Sequence, residues 1–190
     1  NLQAMLPHGC KVGHVRSAME EWIDFLKFIN EQLNSRDLDR LEAFMMPANF
    51  SSLVGEFVAS RIPKYCRSLV KNRYHNGHPD LIPKGHYPGD SVLHGDTGIE
   101  LKSSRHSSGW QGHNVEPCWL LVLIFQANSA ADVMKGIEPK RFVFRAVYGA
   151  QLSESDWQFS GRSETSRRTI TASVTRSGYE KLTANWIYRI

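Results

Sequence analysis

The nine residues Cys118-Trp119-Leu120-Leu121-Val122-Leu123-Ile124-Phe125-Gln126 constrain the fold more than any other stretch of the chain. The run is too short to span a bilayer and has no polar face. Side chains alternate across a strand, so an unbroken apolar run implies a strand covered on both sides. Covering both sides requires packed layers, which predicts an α/β fold with a mixed central β-sheet flanked by α-helices. Arg141 to Tyr148, containing Phe142, Val143, Phe144, Ala146 and Val147, reads as a second strand. Thr169 to Thr175 alternates and is β-branched, which predicts a third.

Helical spacing governs the N-terminal part. Ser17 and Glu20 form a capping-box pattern, and Trp22, Leu26, Ile29 and Leu33 follow at helical intervals, predicting a helix over 17–34. Its aromatic side chains Trp22, Phe25 and Phe28 suit either the core or a subunit interface. A second helix is expected over 37–46, ended by Pro47, and a third from Ser51 toward Val70, kinked or broken at Pro63. Ala130 to Met134 predicts a brief helical turn, and Ser177 a cap for a last helix through Asn185. Tyr74 to Asp96 is rich in Gly, Pro, Asn and Asp, leaving room only for short strands near 80–82 and 91–93.

A chain of 190 residues fits one domain: a helical extension over 1–48, a core over 49–150 and a basic region over 151–190. No apolar stretch approaches a membrane span, and no signal-peptide core is present. Asn1 in place of Met implies that an initiator or an upstream segment has been removed. Cys10, Cys66 and Cys118 are odd in number and lack metal spacing, which favours a reduced, cytoplasmic setting over a disulfide framework. His75, His78, His86, His94, His106 and His113 crowd the centre without a zinc-binding pattern.

The chemistry concentrates around Ile99-Glu100-Leu101-Lys102. On a strand, Glu100 and Lys102 share one face while Ile99 and Leu101 seek burial on the other. Asp80, twenty residues earlier after Pro79, would complete a cluster of two carboxylates and one ammonium if carried on a neighbouring strand. Carboxylates are hard oxygen donors suited to Mg²⁺. An ammonium beside the ion can orient or deprotonate water, or steady a phosphorane-like transition state.

Pro79-Asp80 followed by Glu100-Leu101-Lys102 resembles the PD-(D/E)xK nuclease superfamily, which includes most type II restriction endonucleases. The resemblance implies a restriction-endonuclease-like fold and Mg²⁺-dependent hydrolysis of double-stranded DNA. Asp80 and Glu100 would be the metal ligands and Lys102 the third catalytic residue. It also implies a homodimer that presents one site to each strand. Glu56, on the helix before the motif, takes the place of a supporting glutamate found in many members. Gln111 is the one nearby match to a glutamine that follows the motif in some branches. Repair, recombination and modification-dependent nucleases share the motif, and an inactive nucleic-acid-binding module would keep the fold.

Charge agrees with a polyanionic partner. The chain carries a net +4, while Pro139 to Ile190 alone holds nine Lys/Arg against four Asp/Glu, a net +5. Such asymmetry favours phosphate contacts. Arg105, Gln111 and His113 in the loop after Lys102 are expected to contact DNA, as are Arg162, Arg167 and Arg168 in the segment 160–169. An ordinary solvated surface is the alternative for both segments.

Overall fold

A computed structural model of the chain describes residues 1–190 except 2, 113, 114, 139 and 161–170. Its centre is the apolar run, which forms strand β5 (Trp119–Gln126). Chain order gives helices α1 (Val12–Asn34), α2 (Leu41–Phe44) and α3 (Pro47–Tyr65), then β1 (Leu69–Lys71), β2 (Leu81–Pro83), β3 (Ile99–Ser104) and β4 (Gln111–Gly112). After β5 come α4 (Ala130–Met134), β6 (Val143–Gln151), β7 (Trp157–Ser160), β8 (Thr171–Val174), α5 (Arg176–Ala184) and β9 (Trp186–Arg189). Six strands form one sheet in the order β1-β2-β3-β5-β6-β9, and β4-β8-β7 form a second. Among the described strand pairs of this sheet only β3–β5 is parallel, so the central sheet is mixed as expected.

The two faces of β5 explain its composition. Leu121, Leu123 and Phe125 pack with Ile99 and Leu101 of β3 against Val15, Trp22 and Leu26 of α1 and Phe50, Val54 and Ile62 of α3. Leu120, Val122 and Ile124 face the other way, meeting Trp110, Trp157, Ala172 and Leu182 beneath the smaller sheet and α5. Gly149 on β6 lets these layers close, because a Cβ there would stand 2.1 Å from the Trp119 ring.

Several boundaries differ from expectation for local reasons. α1 starts at Val12 with Lys11 as N-cap and the His14 ring accepting the Lys11 N–H at 3.2 Å, so Ser17 lies inside the helix. Val15 is fully buried, and its burial carries the apolar stripe back past Ser17. α2 is a single turn. Pro47 opens α3 instead of ending its predecessor, because a missing N–H costs nothing in a first turn. Pro63 sits in the last turn and α3 continues to Tyr65; beyond it Leu69–Lys71 is strand, not helix. No strand forms over 91–93, where a 3₁₀ turn at Pro88–Asp90 precedes irregular chain. Thr175 caps α5, accepting from the Gly178 N–H at 3.4 Å, while the Ser177 hydroxyl donates to Asp156 at 2.9 Å. β9 was absent from the sequence reading. α1 is a wall of the main core, so residues 1–48 are not an appended extension.

Candidate active site

β3 carries the site because its two faces have opposite needs. Ile99 and Leu101 are buried against the helical layer, and Ser103 donates to the Ser51 carbonyl of α3. Glu100 and Lys102 therefore emerge on the opposite face, as the alternation predicts. Asp80 immediately precedes β2, and its Oδ2 accepts the Leu101 N–H at 2.8 Å. Its own N–H donates to Glu100 Oε2 at 3.3 Å. The backbone of one strand thus grips the carboxylate of the next, and Asp80, Glu100 and Lys102 converge.

Two further residues complete the cluster. His78 places Nδ1 3.0 Å from Glu100 Oε2. The Lys102 ammonium bonds Glu100 Oε1 and stands 3.4 Å from Glu116 Oε2. Glu116 is buried, and that oxygen receives no hydrogen bond. The Lys102 ammonium nevertheless ion-pairs with it, bridging the Glu100 and Glu116 carboxylates. Trp157 fixes the Glu116 backbone by donating to its carbonyl at 3.0 Å. Gly112 makes room for the carboxylate, since a Cβ would lie 2.7 Å from Glu116 Oε2.

The electrostatics follow from burial and proximity. Desolvation pushes the Asp80 carboxyl well above its ordinary range, and the Glu100 charge adds to that. Burial also works against ionised Glu100, but the His78 hydrogen bond and the Lys102 charge outweigh it and hold the carboxyl low. Desolvation alone would lower Lys102; Glu100 and Glu116 overcome it and hold the ammonium firmly protonated. His78 is raised in the same way, Glu100 more than offsetting its burial. Three carboxyl groups gather around one lysine and one histidine, and oxygen donors of this kind fit a divalent cation.

The cluster opens into a cleft of about 840 Å³ lined by Ser52, Glu56, His78, Asp80, Lys102 and Gln111 among others. A second hollow of about 590 Å³ shares Glu56 and Asp80 with it and adds Lys71, Arg73, Tyr74 and His75. Glu56 is exposed at the rim, ion-paired with Lys71, and near enough that its charge also raises Asp80. Gln111 stands on the cleft wall, with Nε2 3.3 Å from Ser173 Oγ.

Arg105 corrects the sequence reading. Its guanidinium donates to the carbonyls of Ala127 and Asn128 and lies over the Phe50 and Phe125 rings, 5.5 and 5.6 Å from their centroids. It clamps the end of β3 to the loop after β5 and does not face the cleft. His113, Arg162, Arg167 and Arg168 lie outside the described residues. Among the described basic residues of the C-terminal quarter, Lys181 and Arg176 pair with Asp156 and Glu180, and Arg189 covers the Trp186 ring. Glu116 was missed, for it follows a loop and belongs to no short motif; its place before the most buried strand is the one hint the sequence offers.

No model of a known protein family matches this chain, and no curated protein is similar to it in sequence. Among the described residues, no helix is long and apolar enough to cross a membrane.

Proposed function

We propose that this protein is a Mg²⁺-dependent endonuclease that hydrolyses phosphodiester bonds of double-stranded DNA, of the type II restriction kind. The observation that carries this reading is the convergence of Asp80, Glu100 and Lys102 from adjacent strands at the floor of an open polar cleft. Buried ionisable groups with strongly shifted protonation are costly to maintain, and such groups concentrate at functional sites. The Arg73 and His75 side chains beside Asp80 extend the cleft with exposed basic groups and one half-exposed ring, Tyr74, suited to a phosphate backbone.

Asp80 and Glu100 would hold Mg²⁺, which when bound polarises the phosphate and makes a coordinated water acidic. Lys102 has a narrower role than the sequence alone allowed. Its ammonium is held protonated by two carboxylates, so it stabilises negative charge and orients water without taking a proton. Glu56 acts from the rim as an outer support. The homodimer, with α1 or another surface as its interface, and the DNA contacts from 161–170 belong to the same proposal.

Incubation with unmethylated phage DNA and Mg²⁺, with EDTA as control, tests the reading. Discrete fragments that disappear with EDTA support a restriction enzyme. A metal-dependent smear points to a nonspecific or structure-selective nuclease of the same superfamily, and intact DNA that is nevertheless bound points to an inactive binding module.

A further inference from the structure

Away from the cleft, the fold gathers three donors that the sequence keeps apart. Cys10 precedes α1, His14 lies in its first turn, and Cys66 caps the C-terminal end of α3. One ligand atom from each lies within 4.8 Å of the other two. The turn before α1 delivers Cys10 by local constraints. His8 and Gly9 both take left-handed backbone, at φ 55° and 71°, and the Cys10 N–H donates to the Pro7 carbonyl at 3.0 Å. Ser68 fastens this turn to the chain beyond α3, donating to the His8 carbonyl at 2.6 Å with its Oγ 3.2 Å from Cys66 Sγ. Both thiols are free and buried, whereas the His14 ring is half-buried at the surface.

A buried cysteine by itself is a small apolar side chain, and a disulfide would engage only the two sulfurs. An imidazole converging on two soft sulfurs is instead the ligand chemistry of Zn²⁺. In a tetrahedral zinc site such atoms stand roughly 3.5 to 3.8 Å apart, so a closure of about 1 Å suffices. Ligation by either ring nitrogen of His14 breaks the bond that Nδ1 accepts from the Lys11 N–H at 3.2 Å. That bond is exposed, so water replaces the lost acceptor at little cost. We infer that Cys10, His14 and Cys66 bind one Zn²⁺, with water in the fourth position, as a clip between the start of α1 and the end of α3. The site shares no residue with the Asp80, Glu100 and Lys102 cluster and stands independently of the nuclease reading.

Zinc titration of the reduced whole protein against a chromophoric chelator, with Co²⁺ as a spectroscopic stand-in, tests the site. The Co²⁺ form should show thiolate-to-cobalt charge-transfer absorption, which a carboxylate site in the cleft cannot give. Cys10→Ala and Cys66→Ala should each diminish that band and weaken Zn²⁺ by on the order of a hundredfold or more, the upper end of what loss of even a supporting group does to a metal site. His14→Gln should weaken Zn²⁺ by about tenfold or more while leaving the thiolate band in place. Cys118→Ala, which removes the remaining thiol, should change neither. Because an ion that binds only the folded chain stabilises it, Zn²⁺ should raise the melting temperature of the wild type more than that of Cys66→Ala. If the cysteine variants do not fold, His14→Gln and Cys118→Ala still decide the matter, since the first alters a half-exposed ring and the second leaves the site intact. No thiolate band at saturating Co²⁺, a band lost in Cys118→Ala, or unchanged zinc affinity in folded His14→Gln would each overturn the proposal. So would a Cys10–Cys66 disulfide that forms in air as readily with Zn²⁺ as without it.

Discussion

Glu116 and Asp156 are both buried acids, but they keep their charge out of water in different ways. Glu116 Oε2 accepts no hydrogen bond and has only the Lys102 ammonium at 3.4 Å, whereas both Asp156 oxygens are hydrogen-bonded. Ser153 donates to Asp156 Oδ2 from its N–H at 2.9 Å and from its hydroxyl at 2.8 Å, Ser177 donates to Oδ1 at 2.9 Å, and Lys181 pairs with Oδ2 at 2.6 Å. Burial opposes its ionisation, but Lys181 and these donors outweigh burial and hold the carboxyl far below its usual value. A folded-state pKa below the unfolded one means that the stabilisation is complete above the unfolded value and is lost as acid protonates the group. Asp156→Asn should thus cost about 1.5 kcal/mol at neutral pH, allowing for the half-exposed Lys181 partner. The gap from wild type should begin to narrow below about pH 4, where unfolded carboxyls begin to protonate, and go on narrowing toward the depressed folded value. Thermal melts of both proteins from pH 7 to pH 3 measure it, and a gap that widens in acid would refute the assignment.

At the scale of elements, the sequence disclosed what periodicity controls and concealed what tertiary contacts control. β5 and the opposed faces of β3 were legible because burial on two sides, or on one, leaves a pattern of period two. The end of α1 at Asn34, the short α4 and the strand at β6 were legible on similar grounds. The start of α1, the reach of α3 and the existence of β9 were not. Each depends on which distant surface covers it, as when Tyr148 of β6 pairs with Trp186 of β9. In the site, Asp80, Glu100 and Lys102 could be read from spacing, but Glu116 is brought in by Trp157 and Gly112, contacts that no local pattern records. The same reasoning reassigns Arg105 from DNA to the inner scaffold. It also makes a claim about α1: Trp22 is fully buried against Phe50, Phe57 and Phe142, so α1 belongs to the core. Trp22→Ala should cost about 3–5 kcal/mol and lower a single unfolding transition for the whole chain. A separate low-temperature transition for the helix would instead restore it as an appendage.

The whole molecule presents a carboxyl-rich cleft floor inside a chain of net positive charge. For a nuclease this division is useful, since the surface draws in the polyanion and the floor accepts the cation that neutralises it at the point of cutting. If the hollow beside Asp80 follows the DNA backbone, Arg73→Ala should weaken binding across all sequences and reduce the salt slope by about one unit. Joint neutralisation of Arg167 and Arg168 should do the same if those residues touch phosphate, or should lower affinity mainly for the specific site if they read bases. The most direct measurement of the central claim is the Mg²⁺-dependent single-turnover cleavage rate of a duplex by wild type, Asp80→Asn and Lys102→Ala, with each variant's melting temperature taken in EDTA. Both substitutions should lower the rate by roughly a hundredfold or more. Asp80→Asn should melt no lower than wild type, because it removes a repelled carboxylate while keeping an acceptor for the Leu101 N–H. Cleavage at the wild-type rate by either folded variant would contradict the account.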